Sequence, residues 1–241
     1  RLFTIGAIDE DQKKLAEERL RIFVGHQSTT TSATFSPDGR TIASAEIGGT
    51  ITLWDTETGA ELRTFDGQSD ELTSIAFTPD GQMIASGGAE RKIRLWDPET
   101  GDEIGSLEYD SESPHILPVY DLEFSPSGER LLCVKYPELV VWDVESADTS
   151  KPIDVREASG ATFSPDGRTI AVASGSGTQI TIWDAESLVP LREIKTLNFG
   201  QDPIGHVETP IAFSPDGTLL AVASGMDAVT LWSVSSGQEL A

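Results

Sequence analysis

The residue types able to do chemistry here are three histidines, one cysteine and 40 carboxylates. His26, His115 and His206 could share a metal only if the fold gathers them from three distant points of the chain. No His-Glu-x-x-His pair, phosphate-cradling glycine loop or Gly-x-Ser-x-Gly elbow is present. Cys133 lies in an apolar Leu-Leu-Cys-Val run and reads as a small core residue. These patterns predict no catalytic residue, no metal site and no cofactor. The chemistry that remains is recognition. All three tyrosines, Tyr109, Tyr120 and Tyr136, fall in one stretch with His115. Between Arg94 and Arg130 there are ten carboxylates and no lysine or arginine. Glu108, Asp110 and Glu112 stand nearest the tyrosines. Tyrosine offers contact area with a polar tip, and an acidic rim steers a basic segment toward it.

The elements that must position these residues are legible from two recurring phrases. Phe-Ser-Pro-Asp-Gly or a near copy begins at Phe35, Phe77, Phe124, Phe163 and Phe213. Trp-Asp or a near copy begins at Trp54, Trp96, Trp142, Trp183 and Trp232. Each Phe precedes its Trp by 18–20 residues, and successive Trp residues are 41–49 apart. Such a period marks a repeat architecture. In the second unit, residues 72–77, 83–86, 93–96 and 104–107 read as short strands. Thr78-Pro79-Asp80-Gly81 and Asp97-Pro98-Glu99-Thr100-Gly101 read as turns, and Gly87-Gly88 reads as punctuation between strands. Four short strands in about 40 residues cannot bury a core alone, so neighbouring units must stack. The predicted fold is all-β, a propeller of four-stranded blades.

The pattern resembles the WD-repeat β-propeller family over residues 19–241. The resemblance implies that the Phe hairpin joins the first and second strands of a blade and that the Trp ends the third. It implies that both signature turns share one face and that long inter-blade loops emerge on the other. It also implies a His–Ser/Thr–Asp–Trp hydrogen-bond network, and here the His and Asp positions are eroded. The His position holds His26, Gln68, His115 and Asp154, with His206 displaced, and the Asp position holds Gly48, Glu90, Tyr136, Gly177 and Met226. The expectation is that apolar packing holds the blades and that the polar network contributes little. The ring either closes at five units or belongs to a larger propeller.

The Trp-to-next-Phe distances of 23, 28, 21 and 30 residues locate two insertions, at 109–118 and 197–210. Insertions on one face of a repeat protein mark its binding side. The expected partner surface is therefore Tyr109, His115, Tyr120 and Tyr136 on blade three, with Glu108, Asp110 and Glu112, and Phe199 in the second loop. Residues 1–18 are rich in helix formers and read as an N-terminal linker, with Asp9 as its cap. Arg1 is not a start residue, so an upstream domain of the same polypeptide is expected.

The net charge of −23 argues against direct nucleic-acid binding, which needs lysine and arginine on phosphates, and against anionic membrane surfaces. It favours a protein or peptide partner of basic character. No stretch approaches a membrane-spanning length. A lone cysteine fits a reducing compartment, and the expected location is cytoplasmic. Three functions are compatible: an interaction scaffold, a sensory or autoinhibitory domain of a signalling protein, and a propeller hydrolase with a central-channel site. The scarcity of His and Asp clusters weighs against the last.

Overall fold

A computed structural model describes residues 23–66, 71–90, 92–108, 118–135, 138–146, 155, 158–174, 179–195, 210–224 and 228–240. The elements among these residues are all strands. Blade one is β1 (Thr30–Phe35), β2 (Thr41–Glu46), β3 (Thr50–Asp55) and β4 (Glu61–Asp66). Blade two is β5 (Leu72–Phe77), β6 (Ile84–Gly88), β7 (Lys92–Trp96) and β8 (Glu103–Glu108). Blade three is β9 (Asp121–Phe124), β10 (Arg130–Lys135) and β11 (Glu138–Asp143). Blade four is β12 (Ala158–Phe163), β13 (Thr169–Ser174), β14 (Gln179–Asp184) and β15 (Pro190–Lys195). Blade five is β16 (Ile211–Phe213), β17 (Leu219–Ser224) and β18 (Ala228–Ser233), followed by a bridge from Trp232 to Glu239 where a fourth strand begins in blades one, two and four. Every sheet is an antiparallel meander in sequence order. Against the sequence reading, Gly87 and Gly88 lie inside β6 rather than beyond it.

The recurring phrases are turns with a mechanism. In Ser36–Arg40 the hydroxyl of Ser36 donates to Asp38 Oδ1 at 2.6 Å, and Asp38 accepts the Arg40 N–H at 3.0 Å. The same pair of bonds recurs at Asp80, Asp166 and Asp216. The hydroxyl donors hold these carboxyls below the ordinary aspartate range, Asp216 at about 2. Gly39 closes its turn at φ 70°, in the left-handed region. In blade three Ser127 replaces the aspartate and bonds Ser125 instead.

The first strand of each blade is innermost: β1 packs on β5, β5 on β9, β9 on β12 and β12 on β16. Four apolar cores fill the seams between neighbouring sheets. Each motif Trp faces the preceding unit. Trp96 stacks on Phe65 of blade one, and Trp54, with no blade before it among the described residues, packs against Phe23 and His26. Phe23 thus does for blade one what Phe65 does for blade two. Among the described residues the two end sheets keep one open face each. Phe35 is 63% exposed where its counterpart Phe163 is 4% exposed, and Val229 is 64% exposed where Ile180 is fully buried.

The eroded polar network survives further than expected. Trp54 Nε1 donates to Ser44 Oγ at 2.8 Å, and His26 Nε2 lies 2.9 Å from the same oxygen. Trp96 Nε1 donates to Ser86 Oγ at 2.8 Å. Glu90, at the Asp position of blade two, pairs with Arg94. The strand register puts Cys133 and Val172 where Ser44 and Ser86 stand. Without that hydroxyl, the buried Nε1 atoms of Trp142 and Trp183 have no partner among the described residues. An unmet buried donor costs about 1–3 kcal/mol. Cys133→Ser supplies the oxygen almost isosterically, so it is expected to stabilise the domain by about 1 kcal/mol, measured by chemical denaturation. A loss of stability would show that Trp142 does not need this acceptor.

Candidate functional site at the seam of blades three and four

The sequence-predicted partner residues divide sharply. Tyr109, Asp110, Glu112, His115, Tyr136 and Phe199 lie outside the described residues. Glu108 is exposed at the end of the outermost strand of blade two, and Tyr120 is half-buried just before the innermost strand of blade three. These two residues therefore sit at opposite radial positions. The motif residues occupy their expected places: Trp54, Trp96, Trp142 and Trp232 are buried, Trp183 is partly buried, Phe124 and Phe163 are buried, and Phe77 and Phe213 are partly buried. Phe35 is the exception, exposed because no sheet among the described residues covers blade one on that side.

Tyr120 matters because of what stands there in the other blades. Four residues before the motif Phe, blades one and two carry threonine. Thr31 Oγ1 donates to Leu72 O of the next inner strand at 2.7 Å, and Thr73 Oγ1 donates to Val119 O. Seam two–three gains a further bond from the Leu122 N–H to Ser74 Oγ at 3.1 Å. These short side chains stitch neighbouring inner strands together. Tyr120 carries its hydroxyl at the far end of a ring and cannot make the same short bond. At this point in the fold a cavity of about 320 Å³ opens, lined by Tyr120, Asp121, Val134, Ser159, Gly160, Ala161, Pro210 and Ile211. It lies at the starting ends of the inner strands of blades three, four and five, opposite the Ser-Pro-Asp-Gly hairpins.

Glu123, two residues along β9, is the other departure. One residue before the motif Phe, the remaining blades hold Thr34, Ala76, Thr162 and Ala212. Glu123 Oε1 accepts the Thr162 hydroxyl at 3.2 Å and the Phe163 N–H at 3.3 Å, so a carboxylate bridges β9 to β12. Burial raises its pKa to about 7, despite those two donors, and the charge of Asp121 adds to the rise. Alternation along the strand puts Asp121 and Glu123 on the same face. Sequence reading counted both among ten carboxylates without distinguishing them; aligning the five repeats position by position is the signal that separates them.

Burial pushes the Cys133 thiol up to about 12, which leaves it un-ionised and unreactive. Among the described residues no group of three or more His, Cys, Asp or Glu is placed to hold a metal ion. Among the same residues no helix is long and apolar enough to cross a membrane.

Comparison with known proteins agrees with this architecture. The family model of the IFT122 first β-propeller matches residues 29–241. No curated protein matches the chain. Among solved structures, the Cps50 (Swd1) β-propeller domain of Myceliophteria thermophila superposes with a TM-score of 0.73 at 17% identity, over 87% of this chain and 66% of that one. The chain thus spans slightly under two thirds of that domain, and at this identity the likeness establishes the fold alone.

Proposed function

The chain belongs to the family of the IFT122 first β-propeller, and we propose that it is a non-enzymatic scaffold that binds a protein or peptide at the axial cavity of blades three to five. It is a WD-repeat β-propeller, a fold that presents a rigid surface assembled from repeats. The observation that carries the reading is the cavity lined by Tyr120 and Asp121 where the inner strands of blades three, four and five begin. A cavity near 300 Å³ is at the small end of ligand sites, with room for one side chain rather than a large cofactor. The acidic chain, at −23, favours a basic partner. In this reading the propeller is one part of a larger multidomain polypeptide in the cytoplasm, where the free thiol of Cys133 persists.

The test is site-specific photo-crosslinking in cells, with the crosslinker at Tyr120 or, as a control, at exposed Glu186 near the hairpin end. Adducts with a partner are expected from position 120 and not from 186. Recovery of that partner should fall at least tenfold in Tyr120→Ala, and it should fall in the Tyr109→Ala, Tyr136→Ala double variant if the neighbouring loops share the surface. Equal crosslinking at both positions, or undiminished recovery from folded Tyr120→Ala, rejects this site.

A further inference from the structure

We propose that the axial cavity receives one carboxamide side chain, an asparagine or glutamine of the partner, bound by the backbone N–H and C=O that Ile211 turns toward it. This rests on the scaffold reading and names the chemistry its cavity would select.

The direction of the Ile211 backbone follows from strand pairing. In an antiparallel pair, alternate residues bond the neighbouring strand, and the residues between them turn N–H and C=O to the other side. The Ser214 N–H donates to Leu219 O, and the Ala223 N–H donates to Pro210 O. With Ala212 opposite Ala221, this fixes Pro210, Ala212 and Ser214 as the residues that bond β17. Both backbone groups of Ile211 therefore point away from β17. Strand β16 is the axial edge of its sheet and packs on β12, so these groups face the seam where Ile211 lines the cavity.

The seam of blades two and three has an oxygen at this point. Leu122 is the counterpart of Ile211, two residues before the motif Phe, and its N–H donates to Ser74 Oγ at 3.1 Å. The counterpart of Ser74 is Gly160, which also lines the cavity and has no side-chain oxygen to offer. Among the described residues no group accepts the Ile211 N–H. Ala161 adds a second pair of groups. It is in phase with Phe163, whose N–H leaves its own sheet and donates across the neighbouring seam to Glu123 Oε1. Ala161 therefore also turns its N–H and C=O away from β13, and it too lines the cavity.

An edge residue that offers one donor and one acceptor is best met by a group that carries both. A carboxamide does so, because its oxygen accepts and its NH2 donates. An ammonium has no acceptor, and a carboxylate has no donor. Val134, Pro210 and the Ile211 side chain supply apolar wall for the methylene stem. Tyr120, Asp121 and Ser159 complete the lining, and each has an interaction within the domain.

The probe is propionamide. Its counterpart is 2-butanone, of similar size, which accepts a hydrogen bond and cannot donate one. Each is added at millimolar concentration and followed by amide NMR shifts. Propionamide is expected to move the Ile211 and Ala161 amide signals saturably, and butanone to bind about fivefold more weakly for want of one hydrogen bond. Gly160→Ser restores the oxygen that Ser74 supplies in the other seam, so it should weaken propionamide about tenfold. Serine stands at this position in blades one and two, as Ser32 and Ser74, so the variant is expected to fold. Gly160→Ala adds bulk without an oxygen and should weaken propionamide far less. Equal binding of butanone, equal losses in Gly160→Ser and Gly160→Ala, or no saturable shift at Ile211 overturns the carboxamide site. If it falls in this way while crosslinking at Tyr120 succeeds, the scaffold stands and only the carboxamide anchor is lost.

Discussion

Trp142→Ala is expected to destabilise the domain by about 3–5 kcal/mol, the usual cost of truncating a buried Trp. Trp142 is 1% exposed and packs with Leu131, Cys133 and Val140 of its own blade and with Ile93 and Leu95 of blade two. Its indole therefore fills the seam between two sheets, and removing it opens a void that neither sheet can close alone. For a chain of this size the melting temperature should fall by roughly 6–20 °C. A second pair of variants separates packing from hydrogen bonding. Trp54→Phe and Trp142→Phe both shrink the ring. Only the first loses a bond, the one to Ser44, while the second deletes an N–H that has no acceptor among the described residues. Trp54→Phe should therefore cost about 1–2 kcal/mol more than Trp142→Phe. A Trp142→Ala penalty under 1 kcal/mol, by urea denaturation, would show that the repeat tryptophans do not hold the seams.

The blades were legible because each repeat writes its turns in residues with a fixed mechanism. The hydroxyl-to-Asp bond of the first turn and the Asp cap of the second each recur in four of the five blades, so spacing located both ends of the middle strands. What a repeat does not encode is its neighbour. Phe35 and Phe163 occupy one sequence position and have opposite environments, because burial at a seam depends on the adjoining sheet. The polar network was misjudged for a related reason. Counting His and Asp overlooked Ser44 and Ser86, and those hydroxyls satisfy the indoles even where the rest of the network is gone. The candidate site was half legible. Tyr120 stood out by type, whereas Glu123 is unusual only against Thr34, Ala76, Thr162 and Ala212, and its bridge to the next blade emerges only when inner strands are placed side by side.

Gly88→Ala is expected to cost about 2–4 kcal/mol, although it adds one methyl group to a strand. The pairing of β5 and β6 shifts register between Leu72 and Ser74, so Leu72 faces Gly88 and Thr73 is the extra residue. That bulge aims Thr73 Oγ1 at both Gly87 O and Val119 O, which joins blade two to blade three. It also brings the Glu71 carbonyl down to accept the Ala89 N–H at 2.9 Å. A Cβ on Gly88 would overlap the Glu71 carbonyl oxygen, and the obstacle is backbone, which cannot rotate away. The chain must lift Glu71, give up the Ala89 bond and disturb the Gly88 carbonyl, which accepts the Val119 N–H at 3.0 Å. Gly87→Ala is the control. There a Cβ meets side-chain atoms of Val119 and Leu122 at 3.1–3.2 Å, and those can give by a few tenths of an ångström. Its expected cost is about 1 kcal/mol. Hydrogen exchange should show faster opening at the Ala89 and Val119 amides in Gly88→Ala than in Gly87→Ala. If the two variants melt together within 1 °C, the bulge is not the constraint, and the paired glycines serve only to let the seam of blades two and three close.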